Sequence, residues 1–342
     1  MDADLPVPTP APGFLLANER TESSFEQIPV IDFADAASTD RAARRDLADR
    51  IRDACNHPTP ETTVADAVRA AEEFFALPSA AKLAVRASFL PNLDIHKSAN
   101  FKGYTALLGE NTDPTGNGDL HEGFDLGWEQ AEVGDGAMAG VNVWPPDTDV
   151  PGFRARVLAY YDAAVRLGQM LFPLFALALD LPERFFDDKT TKPAAIMRLL
   201  HYPPQPPARV DDDGRVIGIG AHTDYECFTI LWQDAAGGLQ VQNAEGTWID
   251  AVPIPGTFLG DQFARWTNDV FKSTPHRVTN RSGRERYSMP LFFGTDYDVR
   301  LEPLPSCVSP EWPARYEVVT AGEYVKGRLE ETYAQSAAKA SA

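Results

Sequence analysis

The stretch VIGIGAHTDYECFTILWQ, residues 216–233, decides the fold. Its two β-type runs, 216–224 and 228–233, are short and are separated by a polar turn. Further runs of this kind occur at 196–202, 238–243, 247–252, 276–280, 286–293 and 298–304. Many short strands at regular spacing favour a sandwich or barrel over a parallel sheet with crossover helices.

The first run ends in His222-Thr223-Asp224. Residues two apart on an extended strand project from the same face, so this imidazole and carboxylate can bind one ion. His276 follows several strands later, and those strands can fold it back as a third ligand. Two histidines and a carboxylate leave one side of a metal open, as in oxygen-activating Fe(II) enzymes. A zinc hydrolase can use the same residue types.

Arg286 and Ser288 begin the run RYSMPLFF and share one face of it. A guanidinium fork and a hydroxyl there can hold a carboxylate near the metal. The alternative is a surface arginine beside a serine. The apolar residues 289–293 that follow favour a buried position, and a zinc hydrolase has no need of this pair.

The charge balance narrows the classes of partner. Fifty acidic against 31 basic residues give a net charge of −19, which repels nucleic acid and anionic membranes. The N-terminus lacks the pattern of a signal peptide, and no run is long enough to span a membrane. Three scattered cysteines indicate a reducing compartment. We therefore expect a monomeric cytoplasmic protein that acts on a small molecule and binds neither nucleic acid nor membrane.

Upstream of the strands the pattern is different. Residues 1–27 predict an extended arm, and helices are expected at 41–55, at 62–76 and from 151 to 179. Residues 91–150 predict a long binding loop, and a last helix is expected at about 321–333. We divide the chain into the arm at 1–27, a helical and loop region at 28–180, and a β domain at 181–335.

The order of these motifs resembles the 2-oxoglutarate-dependent dioxygenases of the isopenicillin N synthase-like family. Besides the metal and arginine motifs, four segments match landmarks of that family in the right order. They are IPVIDF at 28–33, Tyr202-Pro203-Pro204, GGLQV at 237–241 and GDQFARWTND at 260–269.

The resemblance implies a mainly β fold, a distorted double-stranded β-helix or jelly roll flanked by helices. It implies that His222, Asp224 and His276 bind Fe(II), that Arg286 and Ser288 hold the distal carboxylate of 2-oxoglutarate, and that Tyr202 contacts this co-substrate. O2 would then convert 2-oxoglutarate to succinate and CO2 while a hydrogen atom is removed from the substrate.

Four features depart from the family pattern. A core strand is missing after Cys55, and the strand at 257–261 is shortened. Either loss would expose sheet edges. Glu226 stands where many members have glycine and is expected to be a loop residue rather than a fourth ligand. Leu200 stands where plant members often have a polar contact to the co-substrate.

The substrate pocket is less defined by the sequence. Aromatic residues flank the motifs and are candidates for its lining: Phe101, Tyr104, Phe228 and Phe293. Ordinary core packing explains these residues equally well. In the segment HEGFDLGWE, the polar residues His121, Glu122 and Glu129 are expected to be structural.

Two other functions stay open on the sequence alone. An oxidase of the isopenicillin N synthase type would use Fe(II) and O2 without 2-oxoglutarate, and its substrate would bind the arginine. A non-catalytic small-molecule binding protein on the same scaffold would be expected to lose a metal ligand or the arginine, and this chain has kept them all.

Overall fold

The computed structural model describes residues 42, 61–83, 93–98, 100–112, 118–129, 140–204, 217–253, 256–280 and 282–340. The arm expected at 1–27, the strand at 28–33 and nearly all of the helix at 41–55 lie outside these residues. The segment after Cys55, where the sequence analysis expects a core strand to be missing, also lies outside the described residues.

The described helices flank a β core. They are α1 (Glu61–Phe75), α2 (Ser79–Leu83), α3 (Phe153–Ala178), α4 (Asp261–Trp266) and α5 (Ala321–Ala340). Single 3-10 turns occur at Ile95–Lys97, Asp187–Lys189 and Pro305–Cys307. The helices predicted at 62–76 and 151–179 are confirmed, and the last helix runs beyond its predicted end. None of the helices in the described ranges is long and apolar enough to cross a membrane.

Ten strands are described. They are β1 (Gly103–Thr105), β2 (Glu122–Gly127), β3 (Ala195–Tyr202), β4 (Ile217–His222), β5 (Phe228–Gln233), β6 (Leu239–Gln242), β7 (Trp248–Asp250), β8 (Gly256–Leu259), β9 (His276–Thr279) and β10 (Arg286–Phe293). One sheet has the order β1-β2-β3-β10-β5-β8 and the other β4-β9-β6-β7. Their strand pairs are antiparallel. This is the jelly-roll core flanked by helices that the sequence predicted.

Alternation along the strands sorts side chains between two cores. On β10, Ser288, Pro290 and Phe292 face a cavity between the sheets. Met289 and Phe293 instead join the large apolar cluster that includes α3. The Phe293 ring packs so closely on α3 that a Cβ at Gly168 would come within 2.3 Å of it. One face of the large sheet is therefore available for chemistry and the other stabilises the fold.

Two sequence predictions were wrong in detail. The segment 91–150, expected to be a loop, contains β1 and β2. All six residues of β2 are buried, so the strand lacks the polar alternation by which a half-buried strand is recognised. The run at 298–304 forms only an isolated bridge between Arg300 and Thr320.

The boundaries at residues 27/28 and 180/181 stay predictions. Strand β2, which precedes the boundary at 180/181, pairs with β3, which follows it, so one sheet includes strands from both sides of that boundary. The shortened segment near Phe258 still forms strand β8, which pairs with β5 over four residues and lies at the edge of its sheet.

Candidate active site

His222, Asp224 and His276 converge at one point between the sheets. The Nε2 atoms of His222 and His276 lie 3.7 and 3.5 Å from Oδ1 of Asp224. Three potential ligand atoms, one from each residue, lie within 4.8 Å of one another, and the described residues contain no other such group. The spacing suits three ligands on one side of a single ion.

Hydrogen bonds leave the right atoms available for a metal. Nδ1 of His222 lies 2.8 Å from the Gly220 carbonyl oxygen, and Nδ1 of His276 lies 3.0 Å from that of Thr274. A ring that donates through Nδ1 presents the lone pair of Nε2 to the centre. The Thr229 hydroxyl donates to Oδ2 of Asp224, so Oδ1 faces the histidines. This donor set fits a divalent transition metal.

The chain brings the ligands together by strand pairing and by one tight turn. His222 and His276 are register partners on β4 and β9, and β4 has irregular register before His222. Asp224 follows β4, where its carbonyl accepts a hydrogen bond from the Asp261 amide at 2.8 Å. Gly260 allows this contact, because a Cβ there would lie 2.3 Å from the Glu226 carbonyl oxygen.

Burial sets the protonation state of His222. Removal from water lowers its pKa to about 4, and the neighbouring His276 contributes in the same direction. A neutral imidazole is the form that binds metals. The environment of His222 therefore already favours its metal-binding form at neutral pH.

Arg286 is buried, with a relative exposure of 1%. Its Nε donates to the Gly237 carbonyl at 2.8 Å, and its terminal nitrogens donate to Ser288 Oγ at 3.1 Å and Gln233 Oε1 at 3.0 Å. All three acceptors are neutral. Within the described ranges no carboxylate is found at ion-pair distance from Arg286. Because an unneutralised buried charge is costly, this arrangement fits an anionic ligand.

Tyr202 lies beneath Arg286, with the guanidinium carbon 4.6 Å from the ring centroid. The two residues are register partners on β3 and β10. Burial raises the pKa of Tyr202 above its ordinary value, although the Arg286 charge and the Ser288 hydroxyl oppose this shift. The tyrosine therefore stays a neutral hydroxyl. Its ring packs against Gly218, where a Cβ would lie 2.8 Å from it.

A second charged cluster lines the same cavity and was missed by the sequence analysis. Arg198 donates from Nε to Asp125 Oδ1 at 2.9 Å and from a terminal nitrogen to Glu110 Oε1 at 2.6 Å. The other Glu110 oxygen lies 3.2 Å from His121 Nε2. Arg198 alternates with Leu200 and Tyr202 on β3, a spacing that could have placed it on the face of Tyr202.

The predicted pocket aromatics separate into two groups. Phe101 lines the cavity. Phe228 and Phe293 lie in the apolar core instead, where their rings stack 5.4 Å apart. Tyr104 is buried and donates its hydroxyl to Glu122. These three residues do not build the cavity wall, because their strand positions point toward the helical side of the sheet.

The remaining polar candidates occupy other positions. Glu226 lines the cavity and lies outside the three-residue metal group. Burial, with a smaller contribution from Asp224, raises its pKa to about 8. Leu200 also lines the cavity. Glu122 is buried against Lys82 and His201, while Glu129 contacts Arg154 and Trp144 outside the cavity. The latter two glutamates are structural, as expected.

Comparisons with known proteins agree with this geometry. Residues 193–295 match the model of the 2OG-Fe(II) oxygenase superfamily, and residues 28–147 match that of the N-terminal region of a non-haem dioxygenase in morphine synthesis.

The chain is 35% identical to the 2-oxoglutarate-Fe(II) type oxidoreductase hxnY of Emericella nidulans over 91% of each chain. It is 33% identical to the 2-oxoglutarate-dependent dioxygenase citB of Monascus ruber, over 92% of this chain and 97% of that one.

A solved structure shows the same fold. It is the crystal structure of a full-length Neurospora crassa protein in complex with α-ketoglutarate and thymine, and it superposes with a TM-score of 0.76. The two sequences are 27% identical, and the match covers 89% of this chain and 96% of that one. This chain therefore belongs to the 2-oxoglutarate-Fe(II) oxygenase superfamily, whose chemistry uses Fe(II), 2-oxoglutarate and O2.

Proposed function

We propose that this enzyme oxidises a small molecule, with Fe(II) bound by His222, Asp224 and His276 and with 2-oxoglutarate anchored by Arg286. The observation that carries the assignment is the position of Arg286. It is buried in the cavity of the metal group, and its hydrogen-bond acceptors are neutral.

Each side chain has a distinct role in this proposal. The two imidazoles and Oδ1 of Asp224 hold the metal, and Thr229 orients the carboxylate. Arg286 and Ser288 bind the distal carboxylate of 2-oxoglutarate through charge-assisted hydrogen bonds. The Tyr202 ring supports the guanidinium from below, and its neutral hydroxyl can hydrogen-bond to the co-substrate.

The bound metal and 2-oxoglutarate supply, with O2, the oxidising power that removes a hydrogen atom from the substrate as succinate and CO2 form. The protein supplies a dry setting for this reaction. Leu231, Leu239 and Val278 line the cavity, and apolar walls strengthen charged contacts by excluding water.

The size of the cavity supports a small substrate. It measures about 110 Å³ and is bounded on one side by Val325, Leu329 and Thr332 of α5. The structurally similar Neurospora crassa protein was crystallised with thymine and with 5-formyluracil, which are both small molecules. We therefore place the substrate of this chain in the same size range.

Oxygen uptake with and without 2-oxoglutarate tests the proposal. The Fe(II)-loaded protein should consume O2 and form succinate only when 2-oxoglutarate is present, slowly without substrate. Arg286→Gln should lose this activity. Arg156→Gln, which removes an arginine paired with Glu73 outside the cavity, should retain it.

The same measurement addresses the alternative oxidase. An oxidase of that type takes its electrons from the substrate, so without substrate it would show neither O2 uptake nor succinate formation, and 2-oxoglutarate would not bind to the iron-loaded protein. Arg286 would then belong to the substrate. If iron and 2-oxoglutarate both bound but neither O2 uptake nor succinate formation occurred, the chain would be a binding protein on this scaffold.

A further inference from the structure

We infer that the cluster of Glu110, Asp125 and Arg198 binds the substrate and selects an uncharged ring compound carrying an amide-type N–H and carbonyl. Ring carboxylates are excluded. The inference rests on the proposed function, because it takes the Arg286 end of the cavity as the 2-oxoglutarate site.

Strand register places this cluster near the metal group. Thr229, which contacts Asp224, pairs with Phe292, and Phe292 pairs with Ile196. Arg198 is only two residues from Ile196 on β3. The cluster therefore lies two strands across the sheet from Thr229, in the cavity of the metal group.

A side chain also connects the cluster to the strand that carries His222. Nε2 of His121 lies 3.2 Å from a Glu110 carboxylate oxygen, and its Nδ1 lies 3.2 Å from the Gly218 carbonyl oxygen on β4. A compound held by Arg198 and its partners therefore lies in the cavity of the metal group.

The charges of the cluster exclude an anionic substrate. Two carboxylates flank one guanidinium at 2.9 and 2.6 Å. Burial alone would raise the pKa of Glu110, but the Arg198 charge and His121 outweigh it and hold the pKa below its usual range. A ligand carboxylate would meet a guanidinium that is already neutralised and two carboxylates that repel it.

The hydrogen-bonding groups suit an amide. The mutual hydrogen bonds of the cluster place the carboxylate oxygens of Glu110 and Asp125 beside the Arg198 guanidinium. A carboxylate oxygen accepts more than one hydrogen bond and a guanidinium carries five N–H donors, so acceptor and donor groups are adjacent. An amide presents an N–H beside a carbonyl in the complementary order. Around the cluster, Phe101, Ile196 and Phe292 provide apolar walls for a ring.

The test uses two probe pairs that differ by a carboxylate: uracil with orotate, and benzamide with benzoate. The full-length protein is first loaded anaerobically with Fe(II) and 2-oxoglutarate, and the visible charge-transfer band of the complex is recorded. Each probe is then titrated, with the change in this band and the melting temperature as readouts. The wild type should bind a neutral probe at least tenfold more tightly than its carboxylate partner.

Removing one carboxylate should change this preference. In Glu110→Gln, Arg198 is less neutralised, and the preference should shift toward the carboxylate probes by about tenfold to a hundredfold, the range of a charge-assisted hydrogen bond. In Arg198→Gln, binding of the neutral probes should fall by a similar factor. Glu129→Gln, which lies outside the cavity, is the matched control and should behave as the wild type.

The loading step separates the two proposals. If the band with 2-oxoglutarate never forms, the proposed function fails. If the band forms but the wild type prefers carboxylates, or binds neither neutral probe, the inference about the substrate is overturned. An unchanged preference in a folded Glu110→Gln variant would overturn it as well.

Discussion

Arg286 and Arg198 lie in the same cavity on adjacent strands, yet their surroundings differ. Arg286 is positioned by a carbonyl, a hydroxyl and an amide oxygen, which are all neutral. Arg198 is held by the carboxylates of Asp125 and Glu110. Neutral contacts fix a guanidinium without neutralising it, so Arg286 retains its charge for an anionic ligand. The charge of Arg198 is already compensated, and that end of the cavity suits an uncharged ligand.

The largest expected effect comes from removing the metal ligand that both ends depend on. His276→Ala should abolish high-affinity Fe(II) binding and, with it, the band formed with 2-oxoglutarate. Anaerobic Fe(II) titration measures this loss. His96→Ala, a surface histidine paired with Asp94, is the control and should bind iron normally. Unchanged iron affinity in a folded His276→Ala protein would show that His276 is not a metal ligand, and the assignment of the metal site would fail.

Thr229→Val should weaken Fe(II) binding and leave the contacts of Arg286 and Arg198 unchanged. The substitution removes the hydroxyl that orients Oδ2 of Asp224 while keeping a similar shape. Loss of such a supporting contact typically lowers metal affinity about 10- to 100-fold. The exposed Thr247→Val serves as control. If iron affinity is unaffected, the Asp224 carboxylate is oriented by other contacts.

Gly218→Ala should disturb the Arg286 end selectively. The new Cβ would lie 2.8 Å from the Tyr202 ring, so the ring that supports the guanidinium has to move. We expect 2-oxoglutarate affinity to fall about tenfold, equivalent to about 1.4 kcal/mol, with iron affinity preserved. In Gly327→Ala, where a Cβ meets nothing within 4 Å, 2-oxoglutarate binding should not change. Equal affinity in both variants would contradict the role of Tyr202.

Ser288→Ala should have the smallest effect. It removes one neutral hydroxyl beside Arg286, and such a hydrogen bond contributes about 0.5–1.5 kcal/mol. The dissociation constant for 2-oxoglutarate should rise about two- to tenfold, as measured by titration of the charge-transfer band. The exposed Ser282→Ala is the control. A loss as large as that of Arg286→Gln would contradict the view that the guanidinium dominates this end.

Much of the Arg286 end could be predicted from the sequence. The period of two on RYSMPLFF placed Arg286 and Ser288 on one face, and the spacing of His222 and Asp224 did the same for the metal ligands. These patterns are local and need no knowledge of which strands pair.

The Arg198 end could not be predicted in the same way. Its members come from β2, β3 and the segment before β2, so they meet only through the pairing of Asp125 with Arg198. Strand β2 is buried on both faces and lacks the alternation by which a half-buried strand is recognised, so the sequence did not reveal that partner. Phe228 and Phe293 illustrate the same limit, because aromatic residues beside a motif can face either side of a sheet.

The most direct test of the two-ended cavity compares Arg286→Gln with Arg198→Gln in one anaerobic titration with Fe(II) and then 2-oxoglutarate. Both variants should bind iron. The charge-transfer band should be retained in Arg198→Gln, whereas Arg286→Gln should need far more 2-oxoglutarate to form it, with a loss of about 2–5 kcal/mol in binding free energy. Equal loss in the two variants, or a loss confined to Arg198→Gln, would contradict the assignment of the two ends.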